Sequence, residues 1–523
     1  MSSREIDNTT LAGARASILA RLWGALAREP IPGLRRRRSD DDQLTVWFDS
    51  GPVLTGDAAA TRPFAHARSA DRSLCLSLTT GAVAREIRDP GELVRALGPV
   101  LGRYAPRLAA ELDNSVANLA LARVKQTPAD GGAPLLARAA RSADPLVHLE
   151  QSVVDGHPLH PCARTRTGLS QAQVLAYAPE HRPTVRLREV VVPAQRWYGR
   201  ECAPRLLLHP FQHDLLRDEH PWLAEVSREV DAYPLMSLRT LAIAADPAHH
   251  VKTAVDLQMT SAVRTVSPAS IHNGPVLSGL IAGIAQRVPN LQVLAEVGGG
   301  AVIVDGEPDR RLAVLHRVLP RLEPGEVAIP VAALSAPTPA AHAPLLDEVM
   351  DHGYGGDPLS LLDAFAGLLL APLFGLLGLG VALEAHGQNL LVVVRDGRLR
   401  RLWYRDFGGV RVSPRRLREA GIDPPALQGA LTTDDPEVLR TKVIASAVST
   451  VLGEVIALLG RHGLDEEKAW HRVAAVARAV AGPDGEALFA ATVPVKAMTA
   501  MRLTEPSLAD IWCDLPNPMA GLR

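Results

Sequence analysis

The sequence predicts a mixed helix-and-sheet (α+β) protein built from three domains. Three observations carry this reading. The chain of 523 residues has room for two to four domains. The first 147 residues read as mixed helix and strand, short strands and turns fill the middle, and helices dominate from about 335 on around one hairpin. The dense polar motifs fall in the middle and in one hairpin of the last third. The expected boundaries are 1–147, 148–334 and 335–523.

Composition narrows the possible functions. The chain is 47% hydrophobic, so it can bury sizeable cores, and its 56 Lys and Arg nearly cancel 57 Asp and Glu. Such a balance exerts no global pull toward nucleic acid or an acidic membrane surface. Cys75, Cys162, Cys202 and Cys513 are far apart and form no CxxC, which fits a reducing cytosol and argues against a zinc or redox framework.

The elements follow in chain order. Leu11, Ile18, Leu19, Leu22, Trp23 and Leu26 fall on one face of a first helix, which is not a signal peptide. The run Arg35–Asp42 neutralises itself and is expected as a solvated turn before a strand. Strands are expected near 43–49 and 73–79. Helices are expected near 91–102 and 106–124, the latter on the spacing of Leu108, Leu112, Val116 and Leu119. Residues 126–136 read as a loop. In the middle domain, Gly298–Gly300 lacks the Lys-Ser/Thr of a phosphate loop and is expected to be a hairpin turn. Ala364–Leu383 has no charge over about twenty residues, long enough for a membrane span. With Pro372 and several glycines inside it, a buried helix broken near Pro372 is expected instead.

The hairpin "NLLVVVRDGRLRRLWYRD" has Asp396-Gly397 as a two-residue turn. Arg395 then pairs with Arg398, Gly387 faces Asp406 and His386 faces Phe407, so distant polar residues meet at the open end. In a regular hairpin Asp406 shares a face with Gly387 and Asn389, and Glu384, His386 and Gln388 share the other. Joint metal binding by Glu384 and Asp406 therefore demands a bulge or an irregular start, expected near Gly387 or Gly408-Gly409.

Other polar clusters stand upstream. His157, His160, Arg164 and Arg166 sit around Pro158 and Pro161, which forbid a regular helix and favour a rigid cationic loop suited to an anion. His209, Gln212 and His213 read as a loop end with satisfied histidines. Ser237, Arg239 and Thr240, then Lys252, Thr260 and Arg264, supply the hydroxyl, ammonium and guanidinium groups that hold triphosphates and carboxylates. Glu384 and Asp406 are hard oxygen ligands suited to Mg²⁺. Cationic phosphate binders beside paired carboxylates imply an Mg-nucleotide enzyme. No G-x-S-x-G occurs.

Together "GHPLHPCARTRTG", "HPFQHD", "SLRTL", "KTAVDLQMTSAVRT", "EAHGQN…RDFGG" and "VPVKAMTAMRL…LPNPM" resemble, in this order, the IucA/IucC family of siderophore synthetases independent of nonribosomal peptide synthetases. The resemblance runs from about Gly156 to about Pro518, and the first 150 residues carry no assignable motif. It implies a hand-like fold of thumb, fingers and palm. It also implies ATP- and Mg²⁺-dependent adenylation of a carboxylic acid, often citrate or a derivative, followed by condensation with an amine or alcohol and no obligatory covalent enzyme intermediate. Carried over by motif, Ser237, Arg239, Thr240 and Lys252 bind ATP phosphates, and His160 and Arg164 belong to the nucleotide-side loop. Arg264 lies between ATP and the carboxylate, and Thr260, His386 and Gln388 contact the carboxylate. Glu384 and Asp406 hold Mg²⁺ with Asn389 close by. Lys252, Arg264 and His386 are the expected catalytic groups. Arg164 and Pro337 depart from the family's usual Lys and Arg. A cytoplasmic homodimer acting on small molecules, with no nucleic acid or membrane, completes the expectation. The alternative is a small-molecule phosphotransferase, which also uses a His-Gly…Asn loop and a later Asp-x-Gly; here "HGQN" lacks the Asp expected after His-Gly.

Overall fold

A computed structural model describes residues 6–40, 42–58, 75–124, 133–259, 262–337, 343–505 and 510–522. Thr260 and most of the expected 126–136 loop lie outside these residues.

The amino-terminal helix Asn8–Arg28 is capped by the Asp7 carboxylate, which accepts from the Thr10 N–H, and it buries Ile18, Leu19, Leu22, Trp23 and Leu26. It packs with the helix Ala105–Arg123 against a five-stranded antiparallel meander from Leu34 to Ile87, in sequence order. The charge run is thus not a turn: Leu34–Asp40 is the meander's edge strand. Arg36 lies over the Trp47 ring at 4.0 Å, and Arg37 donates to the Leu26 carbonyl at 2.7 Å. Charge on an exposed edge blocks strand addition, which is why so polar a segment can be a strand.

An eight-stranded sheet forms the middle of the molecule. Its long hairpin, Ala295–Val304 with Glu307–Val318, turns at Asp305-Gly306, so Gly298–Gly300 is strand interior rather than the turn. The physical reason is the Trp197 indole, which occupies the space a side chain on Gly300 would need: a Cβ there would stand 1.9 Å from the ring.

The third region is helical around a four-stranded sheet. Leu390–Arg395 and Arg398–Tyr404 form the hairpin, and Leu291–Val293 and Glu326–Pro330 join its two edges from earlier in the chain. Helix Pro358–Gly378 runs unbroken through Pro372, correcting the expected break. One lost hydrogen bond and a ring clash cost about 3 kcal/mol, less than burying Leu361, Leu362, Phe365, Leu369, Leu373 and Leu377 contributes. This helix and Pro436–His462 are the two among the described residues long and apolar enough for a membrane, and 61% and 78% of their apolar windows are buried inside the protein.

The amino-terminal region, for which no motif was found, grips the chain's far end. The Glu29 carboxylate accepts the Thr499 and Ala500 N–H groups at 2.7 and 2.8 Å. The buried Arg502 guanidinium pairs with Glu111, with Nε to Oε2 at 2.8 Å.

Candidate active site

The hairpin opens irregularly at its glycines, with a turn at residues 387–389 and a tight helical turn at Phe407–Gly409, and it also contains a bulge within its strands. Val394 pairs with Leu399, whereas Val393 pairs with Arg401, so Arg400 is the extra residue. The register shifts by one beyond it, and the Arg405 N–H donates to the Asn389 carbonyl at 2.9 Å. Beyond Asn389 the ladder ends: the Asn389 and Leu390 N–H groups donate to the His386 carbonyl at 2.9 and 3.1 Å. Residues 386–389 therefore turn, and the regular-hairpin parity that separated Asp406 from Glu384, His386 and Gln388 does not apply to them.

A single cavity of about 470 Å³ gathers most of the expected residues. His160, Arg164, Ser237, Arg239, Lys252 and Arg264 line it, as do Glu384, His386, Gln388, Asn389 and Asp406. Thr240 does not reach it. Its side chain is buried in a smaller hollow behind, which also touches Ser237, Gln388 and Asp406.

Strained backbone aims two of these groups. Leu238 and Asp406 hold left-handed φ values of 66° and 75°, uncommon for residues other than glycine and typical of sites where side chains are held in place by their surroundings. The Leu238 turn lets the Ser237 Oγ accept the Thr240 N–H at 3.2 Å and the Arg239 Nη1 donate to the Thr265 carbonyl at 2.8 Å. Burial, with Arg264 nearby, pushes the Arg239 pKa down to about 10. Burial also lowers Arg264 and Lys252, so the wall is rich in cations with little solvent to stabilise them.

The Lys252 Nζ lies 2.5 Å from Asp406 Oδ1, and Arg317 lies 3.7 Å from its other oxygen. Burial alone would raise the Asp406 carboxyl, but Lys252 and Arg317 outweigh it and hold the group ionised far below the usual range. Glu384 has the Lys496 and Lys442 ammoniums 3.7 and 3.9 Å from Oε1. Its carboxylate rests against Gly409, where a Cβ would stand 1.8 Å from Oε2.

Burial depresses the His386 pKa against the opposing pull of Glu384 and Asp406, which favours the neutral imidazole. Its Nδ1 accepts the Gln388 N–H at 3.2 Å, which leaves Nε2–H as the donor. His160 is likewise neutral, pushed down to about 3 by burial and by Arg502, with Nδ1 accepting from the Cys162 N–H at 3.0 Å. Arg164 lines the cavity but is committed to structure: it donates to the Val153 and Val154 carbonyls and stands 3.7 Å from Glu180. His209 caps the helix Pro210–Leu216, and Gln212 bridges the Asp256 N–H and the Arg311 carbonyl, so this motif is architecture.

Several groups escaped sequence reasoning. Arg317 pairs with buried Glu296 at 3.2 Å and supports Asp406. Arg405 pairs with buried Glu150 at 2.6 Å, and Glu150 also accepts the Met236 N–H at 2.9 Å. One buried carboxylate thus ties the Ser237 turn to the Asp406 turn. Arg405 was visible inside the RDFGG motif; Glu150, in an ordinary amphipathic segment, gave no signal. Lys496 lay inside the tail motif without a role.

Comparison with known proteins agrees with the motif reading. Residues 145–200 and 203–336 match the model of the IucA / IucC family. Residues 360–510 match a model described as ferric iron reductase FhuF-like transporter. That segment contains no cysteine, so it has no thiolate for an iron–sulfur centre. Staphyloferrin A synthase of Staphylococcus aureus is 25% identical over 427 residues, covering 72% of this chain and 73% of the relative. D-ornithine–citrate ligase of the same organism is 25% identical over 436 residues, covering 69% and 66%. The fold matches ATP-bound aerobactin synthetase IucA of Klebsiella pneumoniae with a TM-score of 0.77 at 20% identity, over 97% of this chain and 99% of that one. The phosphotransferase alternative finds no support among these proteins. The chain is thus similar to the IucA/IucC family over residues 145–200 and 203–336 and to curated siderophore synthases over about 70% of its length, and it shares the fold of the solved synthetase.

Proposed function

We propose that the protein is an AMP-forming ligase of siderophore biosynthesis. It adenylates a carboxylic acid, citrate or citrate-like, with ATP and passes the acyl group to an amine or alcohol. The observation that carries this reading is one cavity in which Arg239, Lys252 and Arg264 face the same space as His386, Glu384 and Asp406. The names of the relatives, a citrate ligase and a siderophore synthase, supply the substrate class.

A carboxylate is a poor acyl donor, and its attack on the α-phosphate builds charge on the phosphates. Arg239, Lys252 and Arg264 are preorganised to stabilise that charge in a poorly solvated site. Ser237 offers a short hydrogen bond on the nucleotide side, with His160 beside it and Thr240 supporting the turn from behind. The His386 Nε2–H orients the acid carboxylate with Gln388 beside it; a further contact from Thr260 rests on the motif alone. Holding acid, nucleotide and acceptor in one cavity replaces encounter by proximity.

The donor set fits Mg²⁺. Glu384, Asp406 and Asn389 offer hard oxygens to one cavity. That suits an ion bound mainly by phosphates and water with one or two carboxylates. When bound, the ion would supply further charge neutralisation on the phosphates.

A division into thumb (1–147), fingers (148–334) and palm (335–523) and a cytoplasmic homodimer belong to the same proposal. So does action on small molecules alone, supported by the near-neutral charge and by the burial of both apolar helices. Pyrophosphate release measured across citrate, 2-oxoglutarate and succinyl derivatives, each with and without amines, tests it. Acid-dependent release is expected; release that ignores every acid would overturn the proposal.

A further inference from the structure

Two lysines converge on a single oxygen of Glu384, and a second carboxylate stands behind them. Lys496 and Lys442 lie 3.7 and 3.9 Å from Glu384 Oε1. The same two ammoniums reach Asp510, with Lys496 at 2.6 Å from Oδ1 and Lys442 at 2.9 Å from Oδ2. The four groups form a closed ring of alternating charge.

The surrounding fold fixes that ring. Lys442 is buried on the helix Pro436–Val443, with its Nζ 5.6 Å from the centre of the Trp512 ring. Lys496 ends the strand Thr492–Lys496 and pairs with Trp512 of the strand Trp512–Pro516. Asp510 therefore arrives at the lysines through the same two-stranded ribbon. On its other side, the Glu384 carboxylate is backed by Gly409.

We propose that Asp510 is a positioning residue for Glu384. Acting through Lys442 and Lys496, it sets how strongly this carboxylate takes a divalent cation. The inference rests on the proposed metal role of Glu384. Two ammoniums on one carboxylate would leave a local charge of plus one and repel a cation. Asp510 restores neutrality while the lysines keep Glu384 oriented. The three residues thus hold Glu384 without cancelling its capacity as a ligand.

Charge bookkeeping makes the test directional. Mn²⁺ affinity is read from the electron paramagnetic resonance of free Mn²⁺, with enzyme saturated by α,β-methylene-ATP. Asp510→Asn should weaken Mn²⁺ binding about tenfold, the order expected for one unit charge removed nearby at partial screening. Lys496→Met should tighten it several-fold, and Asp510→Glu should stay near wild type. A merely structural role would move Asp510→Asn and Lys496→Met in the same direction. That result, or no change in either, overturns the inference, provided thermal melts show both variants folded. Wild-type enzyme that binds no Mn²⁺ beside the nucleotide analogue would instead refute the metal reading beneath it.

Discussion

Replacing Gly409 by alanine tests the Glu384 arrangement with one methyl group. A Cβ at this position would stand 1.8 Å from Glu384 Oε2 and 2.9 Å from Glu384 Cβ. Ordinary contact needs about 3.4 Å or more, so the carboxylate must rotate away from the two lysines and the Cβ must yield a further half ångström or so. Because the carboxylate is the end of a flexible side chain, the fold should lose only about 1–3 kcal/mol. Activity should fall much further, by about 10²–10³-fold, the order seen when a charge-stabilising group is displaced. Gly408→Ala is the control: nothing lies within 4 Å of a Cβ there, and its φ is not left-handed. The assay is acid-dependent exchange of labelled pyrophosphate into ATP, paired with a thermal melt of each variant. Near-wild-type exchange in Gly409→Ala, or an equal loss in Gly408→Ala, would refute the reasoning.

Arg264→Ala should lose most adenylation, about 10²–10³-fold, with an unchanged fold; intact pyrophosphate exchange would make Arg264 structural only. His386→Ala should impair acyl-adenylate formation while ATP still binds calorimetrically through Ser237, Arg239 and Lys252, and retained full activity would remove His386 from the carboxylate site. His209, pushed down to about 3 by burial, stays neutral in the fold while its unfolded form titrates near 6.5. The unfolded state therefore binds more protons between about pH 3 and 6.5, and stability falls as pH drops through that window. His209→Asn keeps a capping side chain, so denaturant melts at pH 6.5 and 4.5 should show a shallower decline, by up to about 1.4 kcal/mol per pH unit. Arg502→Met should destabilise by about 3–5 kcal/mol, because it strands the buried Glu111 carboxylate.

Periodicity made the long elements legible. The first helix, the helix Ala105–Arg123 and the Asp396-Gly397 hairpin all follow from side-chain spacing and turn chemistry. What was hidden depends on tertiary neighbours. Gly298–Gly300 looks like a turn until the Trp197 ring is seen to need that space. Pro372 looks like a break until the apolar burial around it is counted, and the arginine run looks solvated until it is seen at a sheet edge. The candidate site was legible as a list because its residues cluster in short motifs. Its geometry was not. The parity conflict between Glu384 and Asp406 showed that a bulge or an irregular start was required, and the turn at 387–389 supplies it, but nothing marks Arg400 as an extra residue. Glu150 with Arg405 and Arg317 with Asp406 are ion pairs between distant segments, which leave no local pattern; Glu296 and Arg317 face each other across the hairpin whose turn lies at Asp305-Gly306 rather than at Gly298–Gly300.

The most direct measurement of the central claim is the nucleotide product. Wild-type enzyme, incubated with ATP, Mg²⁺, an amine and each acid in turn, is analysed for AMP, ADP, pyrophosphate and phosphate. AMP and pyrophosphate are expected in equal amounts, formed only with a productive acid. ADP and phosphate with every productive acid would contradict it.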